Sequence, residues 1–289
     1  MNSKELLIIN KIFCLFFVLI SHLTVNSQEL KILTYNIRLD VASDKENRWD
    51  NRKEFLIGQL NFYAPLAFGI QEGFKHQLDA IKNGMKGYDY IGKGREDGAE
   101  KGEYSAIFYN TQDLTLLESN TIWLSESPEE PSIGWDASYK RVCTYGLFTT
   151  RNQERKFWIF NTHFDHEGEE ARRKSARLIV EKINLLNKAK YPVILMGDFN
   201  LEPTTESISF LKSAFNDSHE LAGDSAFGPE GTFNGFQFNK AVTRRLDYVF
   251  LSKGNINLLK YGILSDSKNL KYPSDHFPVF AIISFNEKE

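Results

Sequence analysis

The stretch Pro192-Val193-Ile194-Leu195-Met196 runs without a break into Gly197-Asp198-Phe199-Asn200. An apolar run of this length, opened by proline and closed by glycine, predicts a strand buried on both faces. Such a strand needs a covering layer above and below, so the chain must build sheets that are not open to water. A carboxylate and a carboxamide then emerge where the burial stops. The same pattern recurs along the chain. Leu30–Arg38 contains Asn36, Leu66–Gln71 ends at Glu72, and Phe157–Thr162 ends at His163. Asp247 opens the run Tyr248-Val249-Phe250-Leu251, and Asp275-His276 precedes Phe277-Pro278-Val279-Phe280.

Between these runs the periodicity changes. Helices are predicted at Trp49–Phe62, Lys75–Met85, Glu169–Lys190 and Glu206–Ala214. The third is the clearest, with Ala176, Ile179, Val180, Ile183 and Leu186 at three- and four-residue steps. Further strands are predicted at Ser105–Tyr109, Leu114–Glu118, Val142–Thr149, Val193–Met196, Leu246–Leu251 and Phe277–Ser284. Strands and helices mix without strict alternation, which disfavours a Rossmann sheet or a β/α barrel. Two mixed β-sheets packed face to face, with helices outside, fit the pattern: an α/β four-layer sandwich.

The first residues have a different composition. Lys4 and Lys11 precede an apolar run from Ile12 to Ile20, and Val25-Asn26-Ser27 offers small residues for a peptidase. Residues 1–27 are expected to be a cleaved signal peptide and 28–289 the catalytic domain, exported to the periplasm or the medium. A membrane anchor is the alternative, but Ser21, His22, Asn26 and Ser27 make the uncharged stretch marginal for spanning. Of the 2 cysteines, Cys14 falls in this leader. Cys143 is left alone, so the exported domain has to be stable through its core. The net charge is −3, and more acidic without Lys4 and Lys11. That is a weak footprint for tight, non-specific binding of long duplex nucleic acid.

Acids and amides at strand ends can hold a divalent cation beside a phosphate, since hard cations take oxygen ligands. Read singly, each residue also has an ordinary explanation. Asn36 is a strand-edge Asn, Glu72 a solvated acid, and Asp198 with Asn200 an Asx-turn. Gly197 tilts the last pair towards function by permitting close backbone approach. His163, Asp165 and His166 fall within four residues, yet neighbours on a strand point to opposite faces and no Cys joins them, which disfavours zinc. His163 is better placed to donate to a phosphoryl oxygen; for Asp165 and His166 a functional reading stands level with the ordinary one, loop and N-cap of the next helix. Asp247 and His276 suggest a pair in which the carboxylate orients the imidazole.

Taken together, Tyr35-Asn36, Gln71-Glu72, Asn161-Thr162-His163, Gly197-Asp198-Phe199-Asn200, Leu246-Asp247-Tyr248 and Ser274-Asp275-His276 resemble, in this order, the endonuclease/exonuclease/phosphatase superfamily. The resemblance spans residues 28–289. It implies a four-layer α/β sandwich of the DNase I type and Mg²⁺- or Mn²⁺-dependent hydrolysis of phosphoesters. It also implies that Glu72 binds the metal, with Asn36 and Asp275 at or near its shell. Asp198 and Asn200 would position or activate water, Asp247 would orient His276, and His163 and Asn200 would contact phosphate. The resemblance also points to Arg141, one strand before His163, where pancreatic-type deoxyribonuclease has a phosphate-binding arginine. Two departures stand out. Relatives resembling abasic-site endonucleases carry an acid two residues after the first-strand Asn, where this chain has Arg38, and the phosphoinositide-phosphatase signature is missing. Deadenylase-like and secreted bacterial branches resemble the chain more.

The expected activity is hydrolysis of a phosphodiester, in a nucleic acid, a nucleotide or a related small molecule, by in-line attack of water. Phosphomonoesterase or phospholipid-headgroup hydrolase is the alternative, and a secreted binding protein without catalysis the contrasting class. The loops Asp89–Gly102 and Gly231–Phe236 are expected to shape the pocket. The protein is expected to act as a monomer with no stable membrane anchor after cleavage.

Overall fold

The computed structural model describes residues 29–152 and 154–286. The expected signal segment, 1–27, lies outside the described residues. Residues Glu29–Asn286 form one compact unit. Among the described residues, no helix is long and apolar enough to cross a membrane.

In chain order the strands are β1 (Leu30–Asn36), β2 (Ala67–Gly73), β3 (Tyr88–Ile91), β4 (Tyr104–Asn110), β5 (Leu114–Trp123) and β6 (Val142–Thr150). They continue with β7 (Lys156–His163), β8 (Val193–Asp198), β9 (Phe215–Asp217), β10 (Asp247–Ser252), β11 (Ile256–Ile263) and β12 (Val279–Phe285). The helices are α1 (Trp49–Tyr63), α2 (Lys75–Gly84), α3 (Glu169–Leu186), α4 (Glu206–Ala214) and α5 (Ser218–Ala222). One six-stranded sheet has the order β11-β12-β1-β2-β4-β3 and the other β5-β6-β7-β8-β10-β9. In each, a parallel pair, β1–β2 or β7–β8, sits in the middle and the other pairings are antiparallel. This is the expected DNase I-like sandwich of two mixed sheets with helices around them.

Alternation along the strands explains the layers, because successive side chains point to opposite faces. Leu30 and Ile32 of β1, Phe157 and Ile159 of β7, Ile194 and Met196 of β8, and Val249 and Leu251 of β10 share one core. That core lies between the sheets. Leu33 and Tyr35 pack with Leu56 and Leu60 of α1 and Leu78 and Ile81 of α2. Trp158, Phe160, Leu195 and Phe250 pack with Ile179 and Ile183 of α3 and Ile208 and Leu211 of α4. Every central strand is therefore buried twice, and its sequence reads apolar at both parities.

The expected elements differ from the observed ones mainly at sheet edges. β3, β9, β11 and α5 were not anticipated. β3 is a four-residue, half-buried edge strand that opens the expected Asp89–Gly102 loop. β11 carries a bulge between Leu258 and Lys260, which breaks its alternation. The strand expected at Leu114–Glu118 runs on to Trp123, and the helix expected to reach Lys190 ends at Leu186. The last strand begins after Pro278 rather than at Phe277.

Candidate active site

Continuing the same parity to the strand ends puts Asn36, Asn161, His163, Asp198 and Asp247 on the face that looks between the sheets. The carboxyl ends of β1, β2, β7 and β8 open on one edge, and the chain enters β10 and β12 there too. The apolar inter-sheet core thus gives way to a polar layer at that edge. Its floor is Asn161, which donates to Ile70 O (2.9 Å) and Ala106 O (2.8 Å) across the sheets and accepts from Gln71 Nε2 (2.6 Å). Gly69 leaves the space it fills: a Cβ there would lie 2.4 Å from Asn161 Oδ1.

Asn36 sits above this floor and is fully buried. Its Nδ2 donates to Glu72 Oε1 (3.0 Å) and to Asp198 Oδ2 (2.9 Å), joining the two sheets. Its Oδ1 accepts the N–H of Arg38 (3.0 Å), so Asn36 fixes carboxylates on one side and a turn on the other. Glu72 reaches the site because β2 slips register after Ile70 and Glu72 takes a left-handed φ of 62°. Its Oε2 also accepts from Leu39 N (3.2 Å). Asp198 ends β8, and its Oδ1 accepts Asn200 N (2.9 Å). The two side chains share a face through this Asx-turn, with Asn200 at φ 51°, not through continued strand.

Asp247 pairs with Asp198 across β8 and β10. Its Oδ2 lies 2.8 Å from His276 Nδ1, and His276 Nε2 lies 3.7 Å from Asp198 Oδ2. Burial works against a charged imidazole, but Asp247 and Asp198 outweigh it and push His276 well above its usual range. Burial, reinforced by Asp247, pushes Asp198 up to about 7. Burial likewise raises Asp275 to about 6, opposed by His276 and reinforced by Glu72.

On the other side, His163 is pushed well below its usual range by burial and by the charges of Arg141 and Arg95. Arg141 Nη1 lies 3.2 Å from His163 Nδ1 and Nη2 lies 3.1 Å from His166 Nδ1. Arginine can only donate, so His163 Nδ1 accepts. Asp165 takes Arg141 Nε (3.3 Å) and the N–H groups of Glu167 and Gly168, leading the chain into α3. Asn200 Nδ2 donates to Phe164 O (3.0 Å) and stands 3.1 Å from His163 Nε2.

These groups face one cavity of about 830 Å³, lined by Glu72, Arg141, His163, Asp198, Asn200, Asp275 and His276, with Asn36 and Asp247 directly behind. All the residues singled out from sequence therefore meet in one place. The Gly231–Phe236 loop contributes Phe233 and Phe236 and is zipped to the Asp275 segment. Asn234 N and Gly235 N both donate to Asp275 O, at 2.8 and 3.0 Å.

Several site residues escaped the sequence reading. Arg95, from the expected loop, pairs with the mostly buried Glu103 at 2.7 Å; burial raises Glu103 to about 7. Arg52 of α1 donates to Ile37 O, Arg38 O (2.6 Å) and Pro273 O (3.0 Å), tying the end of β1 to the Asp275 segment. Its only sequence signal was an arginine among the buried positions of α1. Arg38, noted as a departure, grips Asp44 through Nε (2.8 Å) and Nη2 (2.9 Å). It also lies 3.8 Å from both Glu72 and Asp275.

Two donor sets have the chemistry of a cation site. Glu72 and Asp275 offer carboxylates to the cavity, and Asp198, Asp247 and His276 offer one atom each within 4.8 Å of one another.

Comparison with known proteins agrees with this geometry. The model of the endonuclease/exonuclease/phosphatase family matches residues 33–276. A family member from Bacteroides thetaiotaomicron is 38% identical with a TM-score of 0.86, covering 91% of this chain and 100% of its own. A mannosyl-6-phosphatase from the same organism is 39% identical with a TM-score of 0.84, covering 89% and 100%. Human Nocturnin is 23% identical over 83% of this chain and 59% of its own length. This chain spans about 60% of the length of the curated relatives it matches first. The fold, the ordered motifs and a family match across nearly all of residues 29–286 lead to one conclusion: the chain belongs to the endonuclease/exonuclease/phosphatase family.

Proposed function

We propose that the protein is a divalent-metal-dependent phosphoester hydrolase whose substrate is a small phosphomonoester of the sugar-phosphate type. One observation carries the reading: an oriented Asp247–His276 pair, the fixed Asp198 carboxylate and the Glu72 and Asp275 carboxylates converge on a single cavity. At about 830 Å³ that cavity has the size of a small-ligand site, which typically runs to roughly 300–1,000 Å³. The sequence reading put a phosphodiester first. We put the monoester first because the chain is 39% identical to a mannosyl-6-phosphatase over that protein's whole length, which supports this alternative.

The donor set fits a hard divalent ion. Glu72 and Asp275 supply carboxylate oxygens, and the crowding of buried acids around them leaves a deficit of positive charge. We assign the ion to these two, braced by Asn36. In the other triplet Asp247 engages His276 Nδ1 and holds the ring protonated, so Nε2 has no lone pair to offer an ion. Mg²⁺ or Mn²⁺, bound there, supplies charge neutralisation for the phosphoryl and leaving oxygens.

The protein groups do the rest. Asp198, held by Asn36 and by the Asn200 N–H, takes the proton of the attacking water; a carboxyl near 7 is matched to that task. His276 stays protonated on Asp247 and donates from Nε2 to a phosphoryl oxygen. His163, neutral, and the Asn200 amide fix the phosphate orientation, and Arg141 brings the guanidinium geometry that suits phosphate. Lys4, Lys11 and the apolar run after them support export.

Release of phosphate from hexose 6-phosphates, release of p-nitrophenol from p-nitrophenyl phosphate and bis-p-nitrophenyl phosphate, and shortening of single-stranded RNA, each with Mg²⁺, Mn²⁺ or EDTA, test the reading. We expect the hexose phosphate to turn over fastest and EDTA to abolish it. Faster cleavage of the diester or the RNA would restore the phosphodiester reading. No turnover of any substrate with either metal would favour a binding protein.

A further inference from the structure

Arg38 places a permanent positive charge where the cavity most needs a cation. Its guanidinium is held at both ends of the residue. The backbone, at a left-handed φ of 58°, is fixed by Asn36 Oδ1 on the N–H and by Arg52 and Gln77 on the carbonyl (2.6 and 3.0 Å). The side chain is held by the two-pronged contact with Asp44, itself mostly buried. The hydrogen bond to Asp44 makes the guanidinium still harder to deprotonate. In this pose Nη1 is 3.8 Å from Glu72 Oε2 and Nε is 3.8 Å from Asp275 Oδ2. These separations are too long for hydrogen bonds and short enough for strong charge–charge coupling.

We propose that Arg38 is a resident cation that keeps the affinity of the Glu72–Asp275 site for its divalent ion low, and that Asp44 is the tether that keeps it off those two carboxylates. The proposal rests on the metal reading above. The logic is electrostatic. Part of the negative potential of Glu72 and Asp275 is already spent on Arg38, and an incoming ion also meets a like charge. Without Asp44 the guanidinium is free to close the remaining distance and pair directly with either ligand.

Equilibrium binding of Mn²⁺, followed by the electron paramagnetic resonance signal of the free ion, reads this without any turnover. The set is the wild type, Arg38→Gln, Arg38→Lys, Asp44→Asn and the double variant, each checked for folding by its melting temperature. Arg38→Gln is expected to bind Mn²⁺ about tenfold tighter or more, since one like charge beside the site is removed. Arg38→Lys, which keeps the charge, is expected to stay within roughly threefold of the wild type. Asp44→Asn is expected to weaken binding, and to do so much less when Arg38 is already Gln. A general loss of site structure would weaken every variant, so the opposite signs at Arg38 and Asp44 are the diagnostic result. A folded Arg38→Gln that binds no tighter than a wild type that does bind would overturn the role of Arg38 alone. If the wild type takes up no Mn²⁺, the metal reading falls and this proposal with it. Should Arg38→Gln fail to fold, strengthened binding in Asp44→Asn would still overturn the tether.

Discussion

At the scale of single residues, the two histidines of the site have been driven apart. Both are buried, yet His276 faces Asp247 and Asp198 while His163 faces Arg141 and Arg95. One is held as an acid and the other as a neutral ring. His276→Ala is expected to lower kcat by roughly 10²- to 10³-fold, the usual loss when one positioned hydrogen-bond donor to the developing charge is removed. Asp247→Asn should approach the same loss with little change in KM, because it removes the partner that orients and charges the ring. Steady-state kinetics on p-nitrophenyl phosphate separate the two parameters. Asp165 allows a prediction about stability. Burial would raise its carboxyl, but the N–H groups of Gly168 and Glu167 and the Arg141 charge more than offset this and lower it to about 2. A group with a depressed folded pKa stabilises the protein above its unfolded value and loses that contribution as pH falls towards the folded one. The wild-type advantage over Asp165→Asn should therefore be full at pH 6 and shrink between about pH 4 and pH 2. Urea melts of both proteins across that range measure it.

At the scale of elements, the alternation of β1, β7, β8 and β10 explains both what the sequence revealed and what it hid. A central strand carries apolar residues at both parities, so any polar residue near its end stands out. Asn36, His163, Asp198 and Asp247 were legible for that reason. Glu72 was legible as a residue, but its aim depends on the register slip after Ile70, which no local pattern encodes. Glu103 and Arg95 were invisible because they lie in and beside a loop, and their meaning comes from each other. Arg52 was hidden differently: its partners are backbone carbonyls of segments far along the chain, Pro273 among them. Edge strands such as β3, four half-buried residues, and β9, only three residues long, are too short to carry the double apolar signal. The β7–β8 pairing also explains Gly197. It sits opposite Thr162 at φ 146°, and a Cβ there would fall 2.0 Å from Thr162 O. Gly197→Ala must push β8 off β7 and carry Asp198 with it. We expect a loss of about 2–4 kcal/mol in urea unfolding, from strain plus a backbone clash. Activity should also fall more than the unfolded fraction accounts for.

At the scale of the whole molecule, the two sheets are glued by hydrocarbon along most of their length and by polar groups at one edge. There Asn36 of one sheet bonds to Asp198 of the other, and Asn161 bonds back to the first sheet's backbone. The same edge concentrates acids. Burial raises Glu103, Asp198 and Asp275 together, which means that each resists carrying its charge at neutral pH. The fold is therefore strained against its own site, and a bound ion should relieve that strain. Since the ion would bind the folded chain and not the unfolded one, saturation at 100 times its Kd adds about 2.7 kcal/mol. For a chain of this size that corresponds to a rise in Tm of roughly 5–10 °C. Asp275→Asn removes one of the crowded charges together with one of the proposed ligands. Its melting temperature in EDTA should exceed that of the wild type, and Mg²⁺ or Mn²⁺ should then raise it far less. Calorimetric scans of both proteins with EDTA and with each metal decide the matter. An Asp275→Asn protein that melts lower than the wild type in EDTA would show that Asp275 supports the fold through its contacts, and that the cost of the buried charge is minor.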